Sequence, residues 1–133
     1  MAELTKSSPQ PPSTIALPPN ARLSEKLIAG EAIGLLDACQ IHTDGLVMMS
    51  NGAAATQAAA VHGFALRAAA VGEPVTLGDN FVAQYAAALT PGAPYYLSGT
   101  VEGGLADAAS TGGTKKIAFA VSATRVKFLP ISL

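Results

Sequence analysis

Two histidines, His42 and His62, are the side chains with the most obvious capacity for acid–base chemistry. Acyl transfer by a histidine base needs a nucleophile beside it and a third group that orients the ring. Neither histidine lies in a Gly-x-Ser-x-Gly setting, and no Cys or Glu accompanies them at metal-ligand spacing. We expect His62, which alternates with Phe64 and Leu66, to lie on a packed strand face, and His42 to lie exposed near a turn.

The glycine-rich segment 98–116, "SGTVEGGLADAASTGGTKK", superficially resembles a phosphate-binding loop. A true phosphate loop needs Gly-x-x-x-x-Gly-Lys-Ser/Thr between a strand and a helix, and the segment contains no such match. Flexible turns explain its glycines better, and we expect Lys115 and Lys116 to be solvent-exposed charges at the start of the next strand. Nothing places Glu102 opposite Asp107 as a paired-carboxylate catalyst. We therefore predict a protein that is not an enzyme and has no cofactor, metal or small-molecule substrate.

The stretch "TPGAPYYLSGTVEGGL", 90–105, fits either a ligand pocket or a strand that leaves a turn. Near its start, "GAPYYL" at 92–97 is similar to two other segments, "GEAIGL" at 30–35 and "GEPVTL" at 72–77. All three have a turn glycine followed by strand-forming residues. Proline is tolerated at the first position of a strand because its missing N–H lies outside the ladder. The repeated pattern favours a strand, with Tyr95 and Leu97 inward and Tyr96 outward.

Length and composition indicate one domain that associates with partners. A chain of 133 residues suits a single core. Half of the residues are hydrophobic, Ala is the most frequent of them, and Trp is absent, so we expect a thin core of small side chains. Charged residues make up 13%, about half of the usual quarter. A surface so poor in charge invites association.

Charge and cysteine content exclude several classes of partner. The net charge is −1 and no basic stripe is present, which argues against nucleic-acid binding. The single cysteine, Cys39, cannot form an internal disulfide, and we expect it to be buried. No secretory signal and no apolar run of about 20 residues is found, so we expect synthesis in a cytoplasm and no membrane partner.

Short β-rich segments separated by frequent turn residues predict an all-β fold, a single small β-barrel or sandwich domain. Alternation in the last strand places Val126 and Phe128 inward. The alanine runs favour helix, but Gly63 interrupts them, so we predict only a short helical turn near 53–59. The predicted strands lie within 45–50, 61–67, 73–78, 80–85, 94–98, 116–122 and 125–131.

Proline-rich composition sets the amino-terminal residues apart as an extended arm, 1–24, before the β-rich domain, 25–133. Twenty residues in polyproline geometry reach roughly 60 Å. The composition fits a disordered tail, while Ile15 and Leu17 supply apolar anchors for docking on a neighbour. The candidate partner-binding residues are Pro9, Pro11, Pro12, Ile15, Leu17, Pro18 and Pro19.

Four stretches together resemble the capsid decoration, or cement, proteins of tailed bacteriophages: "AGEAIGLLDACQI", "VHGFALRAAAVGEPVTLGDN", "LTPGAPYYLSGTVEGGL" and "KKIAFAVSATRVKFLPI". The resemblance covers about residues 27–129. It implies a β-rich domain that forms a homotrimer on the outer surface of the virion and clamps neighbouring major capsid protein subunits. In that family an amino-terminal arm commonly orders on the capsid lattice, a role that segment 1–20 fits.

Other functions remain open from the residues alone. The first alternative is a phage tail or fibre module that binds a receptor or glycan, because related strand and turn patterns occur there. A carbohydrate-binding domain would present Tyr95 or Tyr96 as a stacking platform. A small hydrolase would use His42 or His62.

Overall fold

The structure, a computed structural model, describes Leu4, residues 21–23 and residues 27–130. Its described part contains ten strands and a single 3-10 turn, Gln57–Ala59. The strands are β1 (Ala21–Leu23), β2 (Ala38–Ile41), β3 (Val47–Met49), β4 (Gly63–Ala65), β5 (Leu77–Asp79), β6 (Phe81–Gln84), β7 (Pro94–Leu97), β8 (Leu105–Ala106), β9 (Lys116–Ala120) and β10 (Arg125–Phe128). They form two five-stranded sheets, and the prediction of an all-β sandwich is confirmed.

Each sheet is built from antiparallel pairs. The first sheet has the strand order β1-β5-β4-β2-β3, and the second has the order β6-β10-β9-β7-β8. Asn80 alone connects β5 to β6 and so carries the chain from one sheet to the other. Its φ of 57° lies in the left-handed region, which Asn tolerates better than most residues. This connection places β6, an edge of the second sheet, beside the β5 side of the first.

The second sheet buries one face. β6, β7, β9 and β10 alternate buried residues with half-buried or exposed ones. In β10, Val126 and Phe128 are buried, as predicted, whereas Arg125 is exposed. Successive side chains in a strand point to opposite faces, so the core-facing set is every second residue.

The first sheet is buried on both faces. Ala38 and Phe64 face the core between the sheets, whereas Cys39 and Ala65 belong to a second apolar cluster. Residues 27–33 and 69–75 cover that second face. They join each other and the sheet through isolated bridges, Ile28 with Pro74, Ala29 with Val47, and Ile33 with Ala69. The buried position of Cys39 agrees with the prediction.

Three phenylalanines join the two sheets at the centre of the core. Phe64 of the first sheet lies 4.7 Å, ring centroid to centroid, from Phe128 of the second, and Phe128 lies 4.9 Å from Phe81. Small residues flank them, since Phe128 pairs in register with Ala118. The expected core of small side chains is therefore only part of the packing, because three of the four phenylalanines meet at this point.

The predicted segments contain six of the strands, and the segment 73–78 overlaps β5 at Leu77 and Gly78. β1, β2 and β8 were not predicted. The 3-10 turn falls inside the short helical turn predicted near 53–59. β1 lies within 1–24, the predicted arm, and its three residues pair with β5 as the outer strand of the first sheet. Apart from Leu4 and β1, the arm lies outside the described residues.

Candidate functional site

The two histidines hold separate structural positions. The Nδ1 atom of His62 accepts a hydrogen bond from the Ile41 backbone N–H at 2.9 Å, which joins the residue before β4 to the end of β2. The ring of His42 is exposed, with its Nδ1 atom 3.4 Å from Asp44 Oδ1 in the β2–β3 hairpin. His42 is exposed, as predicted. His62 is half-buried and lies just before β4, whereas the prediction placed it on a packed strand face.

The glycine-rich segment 98–116 is tied to its surroundings by serine hydroxyls. Ser98 Oγ accepts hydrogen bonds from the Thr100 and Val101 N–H groups at 3.1 Å and 2.9 Å. Ser110 Oγ donates to the Leu97 carbonyl at 2.8 Å and accepts from the Gly113 N–H at 2.9 Å. Both hydroxyls therefore form hydrogen bonds with nearby backbone groups. The two acidic residues of the segment, Glu102 and Asp107, are exposed.

Two glycines of this segment are required for close packing, which corrects the prediction that they are flexible turns. A Cβ at Gly112 would collide with the Ala54 carbonyl, and one at Gly113 would lie 2.5 Å from the Leu97 carbonyl. The Gly112 N–H also donates to the Gly52 carbonyl at 2.8 Å. The segment is thus pressed against residues 52–54, and the glycines allow that approach.

The paired tyrosines lie on β7, as predicted. Tyr95 is 3% exposed and Tyr96 is half-buried. Burial raises the pKa of Tyr95, the Asp107 carboxylate raises that pKa further, and a backbone hydrogen bond involving Thr90 opposes both effects. Because its ring is in the core, Tyr95 cannot present a stacking platform, so the carbohydrate-binding alternative would depend on Tyr96.

An apolar groove of about 420 Å³ opens at the end of the sandwich where β7 ends and β9 begins. Val61, Phe64 and Leu97 contribute buried apolar surface, and Lys115 and Lys116 lie at its exposed side. Residues 55–56, 59–60, 112–117 and 129–130 complete the walls. An apolar interior with a polar margin can hold an apolar side chain or a short peptide. The sequence did not reveal this groove because its walls come from separate stretches of the chain.

The edge strand β8 lies next to this groove. Leu105 of β8 pairs with Leu97, which also lines the groove. The Leu4 N–H donates to the Leu105 carbonyl at 3.1 Å, and the half-buried Leu4 side chain packs against the core between the sheets. The described part of the amino-terminal segment therefore includes one residue bound to a sheet edge. The sequence analysis did not single out Leu4, because the predicted binding residues of the arm were chosen from the proline-rich stretch that follows it.

The seven candidate partner-binding residues between Pro9 and Pro19 lie outside the described residues. Within the described ranges, no group of three or more His, Cys, Asp or Glu side chains is arranged to hold a metal ion. The same ranges contain no helix long and apolar enough to cross a membrane.

No protein-family model matches the chain, and no curated protein matches it. The resemblance to phage decoration proteins therefore stays a prediction.

Proposed function

We propose that this protein is a structural decoration, or cement, protein of a phage capsid. In this proposal it binds the outer surface of the head as a homotrimer and stabilises contacts between major capsid protein subunits. It works by adhesion, through a β-sandwich body and a proline-rich arm, and converts no substrate.

The observation that carries the proposal is that polar side chains with a capacity for chemistry bind the protein's own backbone. His62 accepts from Ile41, and Ser110 connects Leu97 with Gly113. Asp37 Oδ2 accepts from the Gly34 N–H at 2.8 Å. Groups used in this way stabilise loops and strand ends. The use of these side chains to stabilise the fold supports a structural role for the protein.

The arm supplies a physical mechanism for adhesion. An extended segment that pairs with an exposed strand of a capsid subunit gains main-chain hydrogen bonds, and side chains such as Ile15 and Leu17 add apolar anchors. Three arms in one trimer act together, because after the first docks the others bind at a high effective concentration. A protein that binds only the mature lattice shifts the equilibrium towards that lattice.

The test is to add the tagged full chain to phage particles that lack it, to locate it by cryo-electron microscopy and to measure particle survival on heating. We expect density on the capsid shell and survival at a higher temperature. Density only at the tail would favour the fibre alternative. Unchanged particle stability would reject the cement function.

Matched variants test the arm separately from the body. Ile15→Asp with Leu17→Asp removes the two apolar anchors, and Ser13→Asp with Thr14→Asp adds the same charge nearby without removing apolar surface. Each buried apolar side chain contributes about 1.5–3 kcal/mol, so the first pair should weaken capsid binding at least about tenfold. The second pair should bind nearly as well as the unmodified chain, and equal losses in both would contradict the anchoring role.

A further inference from the structure

The apolar groove beside Leu97 has a first wall that hydrogen bonds attach to the body of the protein. This wall is the 3-10 turn Gln57–Ala59 with the residues next to it. The Asn51 N–H donates to the Ala58 carbonyl at 2.7 Å, and the Ser50 hydroxyl donates to the Ala60 carbonyl at 2.7 Å. Because Ser50 is fully buried, the wall is anchored in the interior.

The second wall, residues 112–116, is attached in a similar way. The Gly112 N–H donates to the Gly52 carbonyl at 2.8 Å, and Ser110 Oγ links the Gly113 N–H to the Leu97 carbonyl. A Cβ at Gly113 would lie only 2.5 Å from that carbonyl, so this wall is already in close contact with β7. Neither wall needs a ligand to hold its position, and a site formed in advance costs less free energy to occupy.

The interior of the groove is apolar. Val61, Phe64 and Leu97 form its floor, and the half-buried side chains of Ile117 and Leu129 add to its walls. Its volume of about 420 Å³ lies near the lower end of the range for ligand sites, roughly 300–1,000 Å³. Removing apolar surface from water is favourable, so the groove selects a partner that carries apolar side chains.

The charge at the margin of the groove has one sign. Lys115 and Lys116 lie exposed there, and the described residues that line the groove include no Asp or Glu. The stretch 108–133 contains four basic residues and no acidic one, whereas residues 27–79 contain five of the nine acidic residues of the chain. A margin of this charge attracts carboxylates and repels basic partners.

We propose that the groove binds a peptide segment of a capsid subunit in which apolar side chains lie next to Asp or Glu. The apolar side chains cover Phe64 and Leu97, and a carboxylate meets Lys116 at the margin. This inference rests on the proposed function, because that function supplies the capsid subunit as the partner. It adds a contact of the body to the contact of the arm, and two linked contacts bind more tightly than either alone.

The open side of the groove favours a peptide over a lipid chain. Sites for small molecules enclose most of the surface of the ligand, roughly 70–90% of it. Here Ala55, Thr56 and Thr114 line the groove and are exposed, so one side of it remains in solvent. A peptide suits that shape, because its side chains enter the groove while its polar backbone stays on the solvent side.

The decisive experiment identifies what occupies the groove. The photo-crosslinking residue benzoylphenylalanine replaces Thr56, whose side chain makes no capping hydrogen bond, in the full chain. The protein is bound to phage particles that lack it and irradiated, and the joined products are analysed by mass spectrometry. We expect a capsid-subunit peptide with apolar residues beside Asp or Glu.

The matched control carries the same crosslinker at Thr124, which is exposed and precedes β10, whereas the groove lies beyond the end of β10. It should not join the same peptide. Equal labelling of that peptide from Thr124 would overturn the proposal. So would a joined lipid, a joined peptide of this protein itself, a capsid peptide without an acidic residue, or the lack of any joined product at Thr56.

A pair of charge reversals tests the margin. Lys116→Glu places a carboxylate at the groove, and Arg125→Glu makes the same change of charge at an exposed residue at the other end of the second sheet. Lys116→Glu should weaken capsid binding at least about tenfold, and added salt should weaken the unmodified chain more than this variant. Arg125→Glu should bind nearly as well as the unmodified chain.

The same binding measurement separates the two proposals. If the unmodified chain binds capsids and Lys116→Glu binds equally well, or if both reversals lose the same affinity, the groove proposal fails and the cement function stands. If the unmodified chain does not bind capsids, the cement function fails and the groove proposal fails with it.

Discussion

The two sheets contain five strands each but differ in how they are buried. In the second sheet, β10 alternates exposed and buried residues, so one face meets the core and the other does not. In the first sheet, all three residues of β4 and all three of β5 are buried. The cause is the second apolar cluster, where residues 27–33 and 69–75 cover the outer face.

This difference between the sheets explains under which condition an alternating sequence pattern indicates a strand. A period of two appears only if one face of the strand is packed and the other is solvated. β10 satisfies that condition. β2 does not, because Ala38 faces one cluster and Cys39 the other. The contrast between the sheets can be tested by substitution.

The largest effect is expected where the two sheets share one core. Phe128→Ala removes the ring that contacts both Phe64 and Phe81, and the cavity should lower the free energy of unfolding by about 3–5 kcal/mol. Urea denaturation measures the change. Lys127→Ala, one residue earlier on the other face of β10, should change it by no more than about 0.5 kcal/mol. Equal losses would show that the two faces of β10 are packed alike.

The same new residue on the outer face of each sheet tests their unequal burial. Ala65→Thr adds volume and a hydroxyl to the covered face of the first sheet, where Ala65 is fully buried, and should cost about 2–3 kcal/mol. Val82→Thr changes the half-buried outer face of the second sheet and should cost about 0.5 kcal/mol. Similar melting temperatures for the two variants would remove the distinction between the sheets.

A side-chain hydrogen bond attaches one of the segments that cover the first sheet, residues 27–33, to that sheet. Glu31 Oε2 accepts the Met49 N–H at 2.8 Å and so fastens the covering segment to β3. Glu31→Ala should cost about 1–2 kcal/mol. It should also speed hydrogen exchange at the Met49 amide, whereas Glu31→Gln, which keeps an acceptor, should retain more protection. Glu102→Ala removes an exposed carboxylate and serves as the control. An unchanged Met49 exchange rate would show that this bond does not hold the cover.

The smallest effect is expected in the connection between β6 and β7. Ala88 is exposed and has a φ of 59°, a conformation that costs energy for any residue with a Cβ. Ala88→Gly should raise the free energy of unfolding by about 0.5–1 kcal/mol. Ala87→Gly, at the exposed neighbouring residue, should lower it by about 0.5 kcal/mol, because glycine gains freedom in the unfolded chain. In thermal denaturation, a higher melting temperature for Ala88→Gly and a lower one for Ala87→Gly would confirm that the backbone of Ala88 is strained.

Several strands were predictable from local patterns. The segments 80–85, 94–98, 116–122 and 125–131 contain β6, β7, β9 and β10, all in the second sheet. Turn residues separated them, and alternation placed Val126 and Phe128 inward. β8, with only two residues, is too short to show a period.

The candidate site was less predictable. The proline-rich arm was visible from composition, but the groove beside Leu97 and the contact of Leu4 with Leu105 were not. Leu4 carries no motif, and its partner lies 101 residues further along the chain. The sequence predicts flexible turns at Gly112 and Gly113, but both allow close packing. A glycine in a sequence does not show whether it is needed for a turn or for a close contact.

The sequence by itself determined the all-β class, the strands with one solvated face, the position of the tyrosines on a strand and the proline-rich character of the arm. These follow from local periods and turn chemistry, which neighbouring residues carry. Only the tertiary structure decided that the first sheet is covered on both faces, that an aromatic cluster joins the sheets and that Leu4 meets β8. Each of those features brings together distant parts of the chain, and no local pattern encodes which distant surface a residue will contact.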